Sequence, residues 1–519
     1  MRNVLLLILS LLTVGQLTAQ TATKRVITIN GGQFGNPNDN ANISSYDPAT
    51  GTYTSLDTIQ TQSIQDALVD GRVMYVAAQD SLVKYDLVTG ERIAAEAFGA
   101  PSTISMALYN DYLLVGNWYA PFGQVGPYQN HFRIFNKKTL AYVDSIPEIS
   151  QGVKSFVVVG DTAYIGQNYT SSAFSDSAGW MIKVDLATLT YSDSMAVNDN
   201  MEDLGRLISV DGIVYGLNSV SNSVTMYDPA SGSVMTDTAN ADLALRSYGS
   251  QFQLDQFGVL HTKFGSGIGT YDPVTRSVIQ ANIVDTVVTA FTFDTVNQRY
   301  YITQTDFFSY LGGIIYDATG QRVDTFLVGS SPEAIVSVYN ELPVANDDSL
   351  TALQGVFQEI TVLDNDTDLD ADSLTVELIS YTANFMDTVY VENGKLFGTG
   401  GTNGIGYDTL TYVVLDEWGD LDTGVVALFV DSQSSLEDKF SGNQVVVAPN
   451  PAVSSISVEF MELWEGEVNL MDLNGRLLST RKVARGTGAE FTLETLPSGV
   501  YLLQGTGPEG SWHRKVVKE

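Results

Sequence analysis

Cysteine is absent from this chain of 519 residues. No disulfide framework, thiolate metal site or cysteine nucleophile is therefore open to it. Histidine is almost absent: His131, His261 and His513 are its three copies, too few and too scattered for a histidine metal site. Positive charge is scarce. Lys and Arg number 26 against 60 Asp and Glu, a net charge of −34. A chain so acidic lacks the basic face that nucleic acid requires, and anionic lipid repels it. No segment beyond the start of the chain has the length and apolarity of a transmembrane helix.

Residues 1–19 have the pattern of a signal peptide. Arg2 precedes a short apolar core from Val4 to Val14, and Ala19 stands before Gln20. Export is expected, and with no cysteine after this segment a lipoprotein anchor is not.

Tyr and Phe are plentiful, with 26 and 22 copies, as suits an all-β protein. So is one phrase: alternating apolar residues, an Asp or Asn, then a turn. It reads SSYDPATG from Ser44, LVKYDLVTG from Leu82, FRIFNKKT from Phe132, MIKVDLAT from Met181, VTMYDPASG from Val224, GTYDPVTR from Gly269 and IIYDATG from Ile314. The key positions are Asp47, Asp86, Asn136, Asp185, Asp228, Asp272 and Asp317. A strand-rich unit recurring every ~40–45 residues is a propeller blade. Asp caps the turn with its own carboxylate, and Gly permits positive φ. Each phrase follows two further strands, such as SMALYN from Ser105 and DYLLVGN from Asp111. A fourth strand follows it, giving a four-stranded antiparallel blade.

The ends of the repeat region are out of frame. RVITIN from Arg25 already reads as a second strand, whereas AIVSVYN from Ala334 reads as a first strand with no blade after it. Residues 334–340 are expected to pair with 25–30 and close the ring, removing its exposed edges. The pattern resembles the bacterial surface-layer and YVTN-type seven-bladed propellers over residues 24–340. That resemblance implies a platform. Its relatives include binding proteins, assembly factors and some lactone-processing enzymes.

In such a blade the loop between the second and third strands shares a face with the connection between blades. Three of these loops are long: Gly31–Ile43, Trp118–His131 and Tyr169–Trp180. They carry Phe34, Trp118, Tyr119, Phe122, Tyr128, Tyr169, Phe174 and Trp180 among small polar residues. Aromatic residues beside small polar ones suit a recognition surface, and long loops in compact domains are often functional. The same rings would also serve simply to pack the loops down. No catalytic residue is assigned. There is no G-x-S-x-G elbow, His131 and His261 fall in different blades, and Gly398–Gly406 lacks the lysine of a phosphate loop and reads as a hairpin.

From Pro343 the composition changes. Residues 343–431 contain 17 acidic residues and one basic residue, Lys395. PVANDDSLTALQG from Pro343, LDNDTDLDADSLTV from Leu363 and YDTLTYVVLDEWGDLDTGVVALFV from Tyr407 resemble a bacterial cadherin-like or Ig-like module. Its alternating strands fit a small sandwich. Asp364, Asn365, Asp366, Asp368, Asp370 and Asp372 supply hard oxygen atoms of the type Ca²⁺ takes. Asp416, Asp420 and Asp422 would join them if the two loops meet. The spacing is not that of an EF-hand, and a solvated acidic loop whose side chains cap turns is the alternative.

Residues 432–445 read as a linker, with the polar run Leu436–Asn443 as its cleavage region. Pro449-Asn450-Pro451, Asp472-Leu473-Asn474-Gly475-Arg476, Leu496-Pro497-Ser498-Gly499-Val500-Tyr501 and Lys515-Val516-Val517-Lys518 follow in order. Together they resemble the type A C-terminal sorting domain of the type IX secretion system over residues 446–519. That resemblance implies the type IX machinery as a partner, removal of the domain, and attachment to a surface polysaccharide anchor or release.

The expected protein is all-β, a seven-bladed β-propeller followed by two small β-sandwich modules. It is exported to the cell surface or medium as a non-catalytic protein whose propeller face binds an unknown extracellular ligand: a glycan, a peptide or a small molecule. The alternative is an extracellular propeller hydrolase or lactonase-like enzyme.

Overall fold

The computed structural model describes residues 21–519 except 34, 37, 62–63, 79–80, 98–102, 118–130, 151, 171–176, 199–203, 219–222, 238–251, 310, 433–444, 474 and 509. The described strands fall into two units, Gln20–Glu341 and Leu342–Glu519.

The first unit holds seven four-stranded antiparallel sheets. Blades two to seven each use four consecutive strands. In blade three these are Thr103–Tyr109, Tyr112–Asn117, Phe132–Asn136 and Tyr142–Ser145. Blade one differs as expected. Its strands Thr21–Asn30, Ala41–Tyr46 and Tyr53–Ile59 are completed by Pro332–Glu341. The closing register is antiparallel, with Ile27 opposite Val336 and Ile29 opposite Ala334. Val26, Tyr46, Ala290, Tyr301, Phe326 and Ile335 then pack into one core across the closure.

The repeated phrase does what its chemistry dictates. Asp86 Oδ1 accepts the backbone N–H groups of Val88 and Thr89 at 2.9 and 3.0 Å. Asp272 does the same for Val274 and Thr275, and Asn136 for Lys138 and Thr139. The hydrogen bond to the Thr275 hydroxyl, with those to the backbone, holds the Asp272 carboxyl below its usual range. Four residues after the Asp the chain turns left-handed, at Gly51, Gly90 and Gly232. Three blades place Leu140, Leu189 and Arg276 there instead, at φ 56–59°. Leu140 offsets that strain by burying its side chain in the core between blades two and three.

The first strands of neighbouring blades are stitched together by side chains. Asp66 Oδ2 accepts the N–H of Met106 at 3.0 Å, and Ser155 Oγ that of Leu207 at 2.9 Å. Gln253 Oε1 accepts that of Phe293 at 2.7 Å. In blades two to five the first strand carries a register shift beside this position, between Ile64 and Asp66, Thr103 and Ser105, Val153 and Ser155, and Leu204 and Arg206. Bulges of this kind re-aim side chains, here towards the next blade.

In the second unit, residues 348–431 form a sandwich. One sheet orders Asp348–Leu353, Leu421–Asp431, Gly406–Leu415 and Thr375–Tyr381; the other orders Phe357–Ile360, Lys395–Gly400 and Met386–Glu392. Val376, Leu396, Tyr412, Val426 and Leu428 lie between them. Gly398–Gly406 is not a hairpin. Lys395–Gly400 ends in one sheet and Gly406–Leu415 begins in the other, so the glycines cross between layers.

Residues 445–518 form one connected five-stranded sheet. Its long strands Ser455–Asp472 and Leu477–Thr492 pair with a break in register between Glu459 and Trp464. Phe460, Trp464 and Trp512 form its aromatic core.

Candidate functional site

Of the eight aromatic residues expected to bind ligand, Phe34, Trp118, Tyr119, Phe122, Tyr128 and Phe174 lie outside the described residues. Tyr169 belongs to the strand Thr162–Thr170, paired with Ala178, but its side chain is likewise outside them. Trp180 is described. It pairs with Gln167 in blade four and is 38% exposed.

Trp180 lines a cleft of about 510 Å³ between blades three and four. Glu148 and Ser150 come from the connection between the blades, Gln167 and Ile182 from the two central strands of blade four, and Tyr191 and Ser194 from its outer strand. Ile182 reaches into the core shared with blade three, alongside Phe132 and Phe156. The cleft therefore has an apolar floor. Above it stand an indole, a phenol that is 36% exposed, an amide, two hydroxyls and a carboxylate. Volume and lining match those of small-ligand sites, which are mostly apolar with a few convergent polar groups.

A second aromatic display on the same face was missed by sequence reasoning. The loop between the second and third strands of blade seven exposes Phe307, Phe308 and Leu311. Asp306 Oδ1 accepts the N–H groups of Phe308 and Ser309, and its Oδ2 accepts the Ser309 hydroxyl. Phe307 sits at φ 65°, a conformation that a bulky residue keeps only where neighbours enforce it. Gln33 of blade one donates to the Phe308 carbonyl at 2.8 Å, and Gln304 donates to that of Val287. Exposed Val287 and Leu327 flank the loop. The signal was in Asp306-Phe307-Phe308-Ser309, an Asx turn with two adjacent aromatics.

His131 and His261 are buried structural residues. Burial pulls the pKa of His131 down, and its Nδ1 lies 3.0 Å from the Asn117 carbonyl. His261 stacks on Phe293 at 4.2 Å, with Tyr300 OH at 2.8 Å from Nδ1 and Asp255 Oδ2 at 3.3 Å from Nε2. This Asp–His–Tyr chain resembles a relay, but Tyr300 is buried in the core of blades six and seven, where no substrate reaches it.

The acidic segment of the Ig-like module divides. Asn365 Nδ2 is engaged by the carbonyls of Asn346 and Asp347, and Asp364 and Asp370 are exposed. Asp366 accepts from the Asn346 N–H at 2.6 Å and from Tyr412 OH. Asp368 Oδ1 accepts the Asp372 N–H at 3.2 Å, while its Oδ2 is buried without a hydrogen-bond partner. The two loops do approach: burial and then Asp370 and Asp416 push the Asp368 carboxyl up. Burial and Asp422 do the same to Asp366. Asp348, half-buried beside Asp366 and Asp347, is pushed up to about 6. Among the described residues no three acidic or histidine side chains converge as a preformed metal site.

In the last module two motifs distant in sequence meet. Asn450 donates to the Lys515 carbonyl and accepts the N–H of Val517, both at 2.8 Å. Asp472 Oδ1 accepts the Arg476 N–H, and Tyr501 OH donates to the Pro497 carbonyl.

The comparisons with known proteins follow this division. Residues 340–428 match the bacterial Ig domain family, and residues 446–519 match the secretion system C-terminal sorting domain. No curated protein matches the chain. Similar solved structures include a protein assigned as a 6-phosphogluconolactonase from Bacteroides uniformis, at 14% identity and TM-score 0.44 over 61% of this chain and 100% of that one. Apo AztD from Citrobacter koseri is 12% identical at TM-score 0.40, over 61% and 97%. The designed protein Ika8 is 11% identical at TM-score 0.40, over 60% and 92%. No helix among the described residues is long and apolar enough to cross a membrane. The chain is thus an all-β protein with a propeller, a bacterial Ig domain and a C-terminal sorting domain that directs it to the cell surface or the medium.

Proposed function

We propose that the propeller is a non-catalytic binding platform for an extracellular ligand, held in the cleft between blades three and four. The observation that carries this reading is Trp180 and Tyr191 standing exposed over the apolar floor at Ile182, among the polar groups of Glu148, Ser150, Gln167 and Ser194. Rings give area at low entropic cost, and small polar neighbours give adaptable hydrogen bonds. A ligand with an apolar face and several hydroxyl or amide groups fits this lining. Trp180→Ala removes the largest surface of the cleft and is expected to weaken binding at least tenfold, since buried aromatic anchors contribute about 2 kcal/mol or more. Glycan and peptide arrays probed with the wild-type and variant chains measure it. Binding that survives the substitution at full strength overturns the assignment to this cleft.

We also propose that the acidic end of the Ig domain takes Ca²⁺, with Asp368, Asp370 and Asp416 as the oxygen donors around the unpartnered Asp368 Oδ2. Asp348, Asp366 and Asp422 make a second like-charged group. Carboxyls raised in the folded state bind protons more tightly there than when unfolded. Without a cation, stability falls as pH rises from the ordinary carboxylate range through about 6. Ca²⁺ at Asp368 offsets the burial and the like charges of Asp370 and Asp416 that raise its carboxyl. Millimolar Ca²⁺ is therefore expected to raise the unfolding temperature by several degrees near pH ~7.5, up to ~2.7 kcal/mol at a hundredfold excess over Kd, and by much less near pH ~5. An unfolding temperature indifferent to Ca²⁺ at the higher pH removes the proposal.

A further inference from the structure

The outer face of the three-stranded sheet of the Ig domain carries an aromatic cluster that the fold does not need for its core. Along these strands the inward positions are Ile360, Val389 and Leu396, all buried in the sandwich. The alternate, outward positions are Phe357, Tyr390 and Phe397. Phe397 lies directly opposite Tyr390, and opposite Glu359 on its other side, so Phe357 sits diagonally from it. Phe357 and Tyr390 belong to strands two apart, a separation of about 9.6 Å. Their ring centroids are nevertheless 6.2 Å apart, with planes 17° from parallel. The two rings therefore lean together over Phe397, which lies 5.6 Å from Phe357 and 6.0 Å from Tyr390. Phe357 remains 55% exposed and Tyr390 41%.

We propose that this aromatic tile is a second binding site, which stacks a single pyranose ring of an uncharged polysaccharide. Three arguments select this occupant. The first is area. Three partly covered rings offer on the order of 300 Å², well under the ~800 Å² per partner that a stable protein interface buries. The tile is too small for a dimer and large enough for one sugar ring. The second is shape. The three planes lie within 13–30° of one another, so no ring stands as a wall across the others, as an aromatic cage for a basic side chain requires. A ring face is electron-rich, so it attracts the polarised axial C–H groups of a pyranose. The third is charge. Lys395, the one basic residue between 343 and 431, is held 2.9 Å from Glu359 at the edge of the tile. With that pair neutralised, the exposed carboxylates that remain on these strands are Asp387 and Glu392, in a module that is strongly acidic throughout. An anionic polymer is repelled, while Thr388, Thr399 and the Lys395–Glu359 pair offer hydrogen bonds to hydroxyls.

The test is affinity electrophoresis of the full chain through gels containing amylose, mixed-linkage β-glucan, xylan or galactomannan, with alginate as the anionic control. Retardation is expected in at least one neutral polysaccharide and not in alginate. Phe357→Ala with Tyr390→Ala, made both in the wild type and in the Trp180→Ala background, is expected to reduce it at least tenfold in each, and Ile279→Asp on the outer strand of blade six to leave it unchanged, which separates this site from the propeller cleft. Because cross-strand aromatic pairs also support a sheet, Phe357→Leu with Tyr390→Leu, which keeps apolar bulk without stacking, is run beside it. A loss of unfolding temperature with no loss of retardation in either variant overturns the proposal. So does retardation in none of the neutral gels, self-association through this face on sedimentation, or capture of a Lys-rich peptide in place of the glycans. A polymer purified from the cell's own surface and one from outside it, run in parallel gels, distinguish anchoring from foraging as the source.

Discussion

Ile335→Asp is expected to leave the propeller unable to close. Ile335 is buried in the strand that enters blade one from the far end of the repeat region, and it packs with Val26, Tyr46, Ala290, Tyr301 and Phe326. An unpaired carboxylate there costs several kcal/mol, against a total stability for ordinary domains of ~5–15 kcal/mol. The lost contact is also the one that spares the strand Thr21–Asn30 a bare edge, so aggregation should accompany unfolding. Ile279→Asp is the control. That residue lies on the outermost strand of blade six, already facing water, and its substitution should stay within about 0.5 kcal/mol. Urea unfolding of both variants, followed by intrinsic fluorescence, compares them. Equal midpoints would mean that the closing strand does not complete the ring.

Asp408→Ala is expected to destabilise the Ig domain by about 3 kcal/mol or more. The Asp408 carboxylate accepts the Thr382 hydroxyl at 2.8 Å, the N–H groups of Asn384, Phe385 and Met386 at 3.1, 2.9 and 2.7 Å, and Asn384 Nδ2 at 3.1 Å. It thereby fastens the segment that carries the chain from one sheet to the other. Alanine strands these donors, each leaving a desolvation cost of ~1–3 kcal/mol where it stays buried. Burial alone would raise the carboxyl's pKa, but the N–H of Phe385, the Thr382 hydroxyl and the other two amides outweigh it and hold the pKa below its usual value. A depressed pKa contributes stability that is present above the unfolded value, near ~3.9, and is lost as pH falls through the folded one. Calorimetry of the full chain should show the domain's transition moving down in the variant. In the wild type, acid should weaken that transition below about pH 4, and the variant should lack this component. A transition that does not move on substitution contradicts the assigned role.

The candidate sites were legible in unequal measure. Trp180 was visible because an aromatic residue stood among small polar ones; the expected loop Tyr169–Trp180 is shorter than it looked, since both ends belong to strands Thr162–Thr170 and Ser177–Asp185, and Trp180 stands on the second of these at the interblade cleft. Tyr191, its partner there, was not, because an exposed ring on an outer strand looks like ordinary strand propensity. Phe307 and Phe308 lie between Arg299–Thr303 and Gly313–Asp317, a longer gap than the one between Thr162–Thr170 and Ser177–Asp185, and they escaped because the length of that loop did not show in the sequence pattern. In the Ig domain the aspartates were conspicuous. The tile was invisible, since Phe357 is far in the chain from the hairpin that carries Tyr390 and Phe397, and the three meet only through cross-strand register.

The sequence by itself determined the all-β class, the seven blades, the frame-shifted closure and the order of modules. Each of these follows from local rules: a period of two, an Asx turn, a left-handed position at or near a glycine, and motifs in a set order. Tertiary structure alone decided which side chains of different strands share a surface. That depends on bulges such as those beside Asp66 and Ser155, which re-aim a side chain by one residue. It depends equally on the register that brings Asn450 to Val517 and Asp368 towards Asp416. Local chemistry sets where a strand starts and turns. Its partner is chosen by the burial of a whole face, a sum over residues that no short segment contains.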